Sequence, residues 1–265
     1  MPPPVYVSTE PVGPNLLLMT RHPASRAGQS VAVLQSNYIP WKGYFDLIAA
    51  TDTFVIYDQM QYTREDWRNR NMIKTANGPQ WLTVPVRQSG RFGQRICDTE
   101  IDGKMWARKH WKSIENAYRR APYFEAVAQW LRPIYDDTDV THLSVLNRLL
   151  IEAVCAYLGI ATRLIDSSEL ELLGERSERV AHVCAQLGAD CYISGPAARS
   201  YLDEAHFSNR GITVKWFDYH GYPEYRQLWG AFTHQVSVLD LLFMCGSQSP
   251  SFMKFCSSSK TLERA

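Results

Sequence analysis

An α/β fold with a Rossmann-like parallel sheet is what this sequence predicts. Three observations carry that prediction: short, continuously apolar runs; helical stretches alternating with them; and polar residues at the ends of those runs. A continuous apolar run bounded by turn residues marks a strand covered on both faces, as parallel sheets require. Alternation of such runs with helices implies right-handed strand–helix–strand crossovers.

The first unit is "VAVLQ" (31–35), a helix over "GYFDLIAA" (43–50) and a second strand "TFVIYD" (53–58). "QWLTVPV" (80–86) reads as a third strand, with Pro85 marking an edge or an end. A helical insertion follows at about 104–160. Within it, "MWARKHWKSIENAYRRA" places Trp106, His110, Ile114 and Ala117 on one stripe, and "YFEAVAQWLRPIYDD" follows. "THLSVLNRLLIEAVCAYLG" has Thr141 as its expected cap and Gly159 as its stop, with Leu143, Leu146, Leu150, Val154 and Tyr157 inward. Alternation resumes with a strand at 162–168, a helix at 177–188, a strand at 190–195 and a helix at 196–205. A strand at 212–219 and a helix at 237–246 complete it. Residues 30–246 are thus expected to form a single domain between an N-terminal tail (1–29, rich in Pro, Ser and Gly, whose "NLLLM" could dock on the domain) and a C-terminal tail (247–265).

Composition bounds the function. The chain has 265 residues, 45% apolar and 21% charged, with a formal charge of +1, so no global field attracts nucleic acid or an anionic membrane. The six cysteines, at 97, 155, 184, 191, 245 and 256, show no metal-knuckle spacing and no disulfide framework. The histidines show no ligand spacing either, so no metal is expected. The longest apolar run, "VSVLDLLFMCG", is too short to span a bilayer. With no signal peptide in view, the expected compartment is the cytoplasm.

Open parallel sheets bind ligands beyond the carboxyl ends of their strands. Here those ends carry Gln35, Asn37 and Tyr38; Asp58, Gln61 and Tyr62; Ser194 and Gly195; and Asp218. Their convergence on one pocket is the expectation. "TREDWRNRNMIK" adds Arg64, Arg68, Asn69, Arg70 and Lys74, with Arg64 and Arg68 on one face if the stretch is helical. Guanidinium forks suit carboxylates and phosphates, so a small, polar, anionic substrate is expected. Tyr38 and Trp41 could stack on a base or sugar. Asp58 and His234 are the candidate bases, with His110 a weaker one. No GxSxG, GxGxxG or GxxxxGK[ST] motif is present.

The stretches "LQSNYIPWKGYFDLIAATDTFVIYDQMQYTREDWRNRN", "WLTVPV", "LNRLLIEAVCAYLGI", "YISGPAARSYL", "GITVKWFDY" and "FTHQVSVLDLLF" resemble the WbqC-like family over nearly all of residues 31–246. That family takes its name from O-antigen gene clusters, which implies work on surface sugars. Acyl or aminoacyl transfer to an amino sugar, or to a similar amine in surface-polysaccharide or secondary-metabolite biosynthesis, fits that context. More distantly, the first strand–helix–strand unit resembles nucleotidylyl-transfer folds such as pantothenate synthetase. That likeness implies an alternative, an ATP-dependent adenylating ligase. Its phosphates would rest on the helix start at Gly43 and on Ser194-Gly195, with Lys74 or Arg68 at the leaving pyrophosphate. Trp41 and Tyr44 stand where that family places two histidines. A non-catalytic sugar- or nucleotide-binding protein is the third reading.

Overall fold

A computed structural model describes residues 28–136 and 139–256. The expected N-terminal tail lies outside the described residues up to position 27. The chain runs β1 (Ser30–Leu34), α1 (Lys42–Ala49), β2 (Thr53–Ile56), β3 (Arg70–Thr75), β4 (Gly78–Thr83), α2 (Met105–Tyr118), α3 (Phe124–Asp136), α4 (Leu143–Leu158) and β5 (Arg163–Asp166). It continues through α5 (Arg176–Gln186), β6 (Cys191–Ser194), α6 (Ala205–Ser208), β7 (Thr213–Trp216) and α7 (Val238–Cys245).

Five strands form one sheet in the order β5-β2-β1-β6-β7, every neighbouring pair parallel. The expected Rossmann-like architecture is therefore present. The order reverses between β1 and β6, because the chain builds outward from β1 to β2 and β5 and then returns to add β6 and β7. Side-chain alternation splits the core in two. Ala32, Phe54 and Ile56 point to one face, under α1, the insertion helices and α7. Val31, Val33, Val55 and Tyr57 point to the other, under α5 and α6.

The third predicted strand is not in this sheet. β4 pairs antiparallel with β3 as a separate hairpin, and it stops at Thr83 before Pro85. Nor is "TREDWRNRNMIK" helical: residues 64–69 are turns, and Arg70 opens β3. The physical cause is a two-residue turn, Ala76-Asn77, closed by Gly78 at φ 100°. That turn sets the hairpin register against any local helical preference.

Two other boundaries differ from expectation. α4 starts at Leu143 rather than on a Thr141 cap, because residues 141–142 pair with 99–101: Ile101 N–H donates to the Thr141 carbonyl and Leu143 N–H to that of Thr99. Gly159 does end α4, at φ 72°. Residues 196–205, expected as one helix, form a 3-10 turn over Pro196–Ser200 before the four-residue α6.

Of the expected C-terminal tail (247–265), residues 257–265 lie outside the described residues, and residues 254–256 are held against α1. The buried Asp46 carboxylate accepts from Tyr222 Oη (2.8 Å) and from the backbone N–H groups of Lys254 (2.8 Å), Phe255 (2.7 Å) and Cys256 (3.3 Å). A second buried network ties the insertion to the β1–α1 loop. His110 Nε2 faces the Thr83 carbonyl, which can only accept, so Nδ1 is the acceptor for Tyr38 Oη at 2.8 Å. Tyr38 Oη in turn accepts from Tyr135 Oη at 2.7 Å.

Asp46→Ala strands three N–H groups and a hydroxyl. The expected loss is about 3 kcal/mol in urea unfolding, with new proteolytic cleavage near residue 254, while Tyr222→Phe loses only about 1 kcal/mol. Burial lowers the His110 pKa from its ordinary value to about 4. A folded value below the unfolded one means that its stabilisation is full above pH 6.5 and is lost as the pH falls towards 4. That loss amounts to about 3 kcal/mol at completion. Urea unfolding across pH 7 to 4 should show a steeper decline in wild type than in His110→Gln; equal slopes would refute the assignment.

Candidate functional site

The site is built where β1 and β2 end. Asp58, just beyond β2, is buried, and its two oxygens accept from Ser36 N–H (2.8 Å) and Ser36 Oγ (2.6 Å). Burial pushes the Asp58 carboxyl up, against the opposing pull of those two donors and of Arg68. Asn147, on the inward stripe of α4, donates from Nδ2 to Ser36 Oγ (3.0 Å) and to the Arg68 carbonyl (2.9 Å).

Arg68 closes the arrangement. Its Nη2 donates to Gln35 Oε1 (2.8 Å) and its Nη1 to Asn37 Oδ1. The guanidinium thus grips two amide oxygens, and this fixes the orientation of both amides. Each turns its NH₂ group away from Arg68, and among the described residues neither nitrogen has a hydrogen-bond partner. Asn37 faces one cleft and Gln35 another.

The first cleft, about 550 Å³, lies between the β1–α1 loop, the hairpin and the loop before α7. Three indoles line it, those of Trp41, Trp67 and Trp81, together with Asn37, Asn71 and His234. Trp67 and Trp81 are 44% and 42% exposed, with ring centroids 5.4 Å apart, and the Arg70 guanidinium lies 4.4 Å from the Trp81 ring centre. Asn71 Nδ2 holds the carbonyls of Tyr38 (3.1 Å) and Ile39 (3.0 Å), which stabilises the loop where Ile39 sits at φ 37°. His234 is exposed on the rim, flanked by Phe232 and Tyr222. Partial burial, and then Lys42, lower its pKa, so the imidazole is neutral at pH 7.

The other sequence-derived candidates are dispersed. Tyr38 is wholly buried against His110 and Tyr135, so its ring offers no stacking surface. Asn69 is buried and donates to the Val84 carbonyl, and Lys74 Nζ is taken up by Gln227 Oε1 (2.5 Å) and the Ala231 carbonyl. Gln61, Tyr62 and Arg64 border a separate hollow of about 450 Å³. Asp218 lies at the edge strand's end with His220 and Lys254, away from Asp58. Asp240, close to His234 in sequence, instead accepts from Tyr225 Oη and Gln227 Nε2. Ser194 and Gly195 face the Gln35 cleft. At the start of α1, the Trp41 indole lies on Gly43, where a Cβ would meet Trp41 Cζ2 at 2.3 Å, so that helix end is covered.

Ser36 and Asn147 were not among the sequence-derived site residues. Asn147 carried a signal: it is a polar side chain on the apolar stripe of Leu143, Leu146, Leu150 and Val154. Among the described residues no group of three or more His, Cys, Asp or Glu is placed to hold a metal ion. Nor is any helix there long and apolar enough to cross a membrane.

A sequence profile described as the WbqC-like protein family matches residues 35–252. The chain is 54% identical over 228 residues to Rv1507c, an uncharacterized protein of Mycobacterium tuberculosis (strain ATCC 25618 / H37Rv). That alignment covers 86% of this chain and 99% of the relative. No solved structure matches.

Asn147→Ala removes both donors to Ser36 and Arg68. It should cost about 2 kcal/mol in urea unfolding, and it should disorder the 64–69 turns, read as loss of amide protection by hydrogen exchange. Protection equal to wild type would show that the turns stand without Asn147.

Proposed function

The chain belongs to the WbqC-like protein family, and we propose that it is an acyl or aminoacyl transferase acting on the amine of an amino sugar, or on a similar amine, in surface-polysaccharide or secondary-metabolite biosynthesis. The observation that carries the reading is the three-indole cleft, which also holds a neutral histidine and an amide donor whose direction Arg68 sets. Indole faces pack on the apolar face of a pyranose ring, while amide N–H groups bind its hydroxyls and carbonyls.

In this reading the acceptor stacks on Trp67 and Trp81, and Asn37 Nδ2 binds one of its oxygens. His234 takes the proton as the amine nitrogen attacks the donor's carbonyl carbon. The C–N bond forms, the bond to the leaving group breaks, and the proton passes to the leaving group. Asp58 is a positioning residue here, since Ser36 occupies both its oxygens. Arg68 likewise acts through Gln35 and Asn37 rather than as a free anion clamp. The covered start of α1 weighs against the adenylating alternative, which needs phosphate room there.

Acyl transfer from acyl-CoA to a panel of nucleotide-linked amino sugars tests the proposal. His234→Gln should lower kcat about 10²–10⁴-fold and remove the acidic limb of the pH profile, which should lie below the ordinary histidine value. Trp81→Ala should raise KM about 10-fold with kcat held. Full activity in His234→Gln would end the base assignment. Pyrophosphate release from ATP would favour the ligase, and binding without turnover the non-catalytic reading.

A further inference from the structure

The Gln35 cleft is the larger of the two, about 630 Å³, and sits at the reversal of strand order. Backbone pairing opens it. β1 and β6 pair only through Ser30–Cys191 and Val31–Tyr192, whereas β1 and β2 stay in register to Leu34–Ile56. β1 and β6 therefore part before either ends, and a crevice forms on the α5 side of the sheet. The walls carry Gln35 just after β1, Tyr57 just after β2, Ser194 and Gly195 at the end of β6, and Arg176 and Arg179 from the first turn of α5.

The charge in that crevice is unbalanced, with the two guanidinium groups set against a single lining carboxylate, that of Glu175. Among the described residues neither Arg176 nor Arg179 is in an ion pair with a carboxylate. Arg179 Nε is held by the Gly174 carbonyl at 2.8 Å and its guanidinium lies beside the Tyr57 hydroxyl, so its position is set. Arg176 sits at φ 45°, a left-handed conformation that L side chains rarely adopt. Among the described residues the other non-glycine cases are Ile39 and Glu65, which flank the Arg68 network. Strain of this kind persists only where the surroundings over-determine it, and it gathers at binding sites.

We infer that this crevice binds the diphosphate of a nucleotide-bearing substrate, with Arg176 and Arg179 on the phosphates and the Gln35 amide donating to an oxygen. The inference rests on the transferase reading in supplying its second substrate site. Gln35 and Asn37 are two residues apart, about 7 Å along an extended chain, so substrates in the two clefts meet at the Arg68 fork. The diphosphate has two possible sources, coenzyme A as acyl carrier or a nucleotide-linked sugar as acceptor.

Isothermal titration of the full chain with coenzyme A, UDP and inorganic pyrophosphate separates these sources. Saturable binding of coenzyme A or UDP is expected, tighter than that of pyrophosphate. Arg179→Gln and Arg176→Gly should each weaken it at least 10-fold. The glycine also relieves the backbone, so melting temperature should hold or rise, which excludes unfolding as the cause. Trp81→Ala and His234→Gln should leave the coenzyme A or UDP affinity within 2-fold. If none of the three probes binds, or if binding survives both arginine substitutions, the crevice assignment is overturned. Crevice binding without acyl transfer would remove the transferase reading and keep this site. Transfer that is indifferent to both arginines would do the reverse.

Discussion

The bonds from Ser36 to Asp58 are the constraint on which the rest of the site depends. They join the ends of two adjacent parallel strands just where the ladder stops and backbone groups would otherwise lie open. A buried carboxylate is costly, and two short donors from a single residue offset much of that cost. Asn147 then makes the strand ends dependent on α4, and through the Arg68 carbonyl it also determines where the 64–69 turns lie. Arg68 completes the circuit back to β1. The sheet, insertion and hairpin approach are therefore joined through one buried polar network.

That network separates two kinds of residue. Asp58, Ser36, Asn147 and Arg68 face inward and bond to one another, with Asn147 Oδ1 left buried without a partner among the described residues, whereas Asn37, Gln35, His234 and the exposed indoles face solvent-filled space. Catalytic and recognition groups work best when their own rotamers are locked from behind. Here the locking groups carry the charge, and the groups left to meet a ligand are neutral at pH 7. The crevice arginines are the exception, and they stand on the other face of the sheet.

The parallel sheet was legible because its strands are apolar on both faces and bounded by turn residues, as in "VAVLQ" and "TFVIYD". The hairpin was not, although "ANG" is a turn signal, because Pro79 and the charged residues of "RNRNMIK" hide the alternation of β3 and β4. Of the site, the strand-end rule drew attention to Gln35, Asn37 and Asp58. It could not separate Tyr38, which turns inward, from its neighbours. Burial on a loop is decided by partners distant in sequence, here His110 and Tyr135. Arg176 and Arg179 were not among the sequence-derived candidates, and only the early parting of β1 from β6 gives them a cavity.

The hydroxyl chain beneath the β1–α1 loop has a polarity with consequences for mutational tolerance. Protons point one way, from Tyr135 to Tyr38 to His110 and on to the Thr83 carbonyl. Damage therefore spreads unequally along it. A phenylalanine at 135 removes the first donor and leaves every later acceptor supplied. A phenylalanine at 38 leaves an imidazole nitrogen without its donor and a Tyr135 hydroxyl without its acceptor, both in a dry core. Sequence drift in this fold is thus freest at the head of the chain and most restricted at its middle, although all three side chains are almost equally hidden from water.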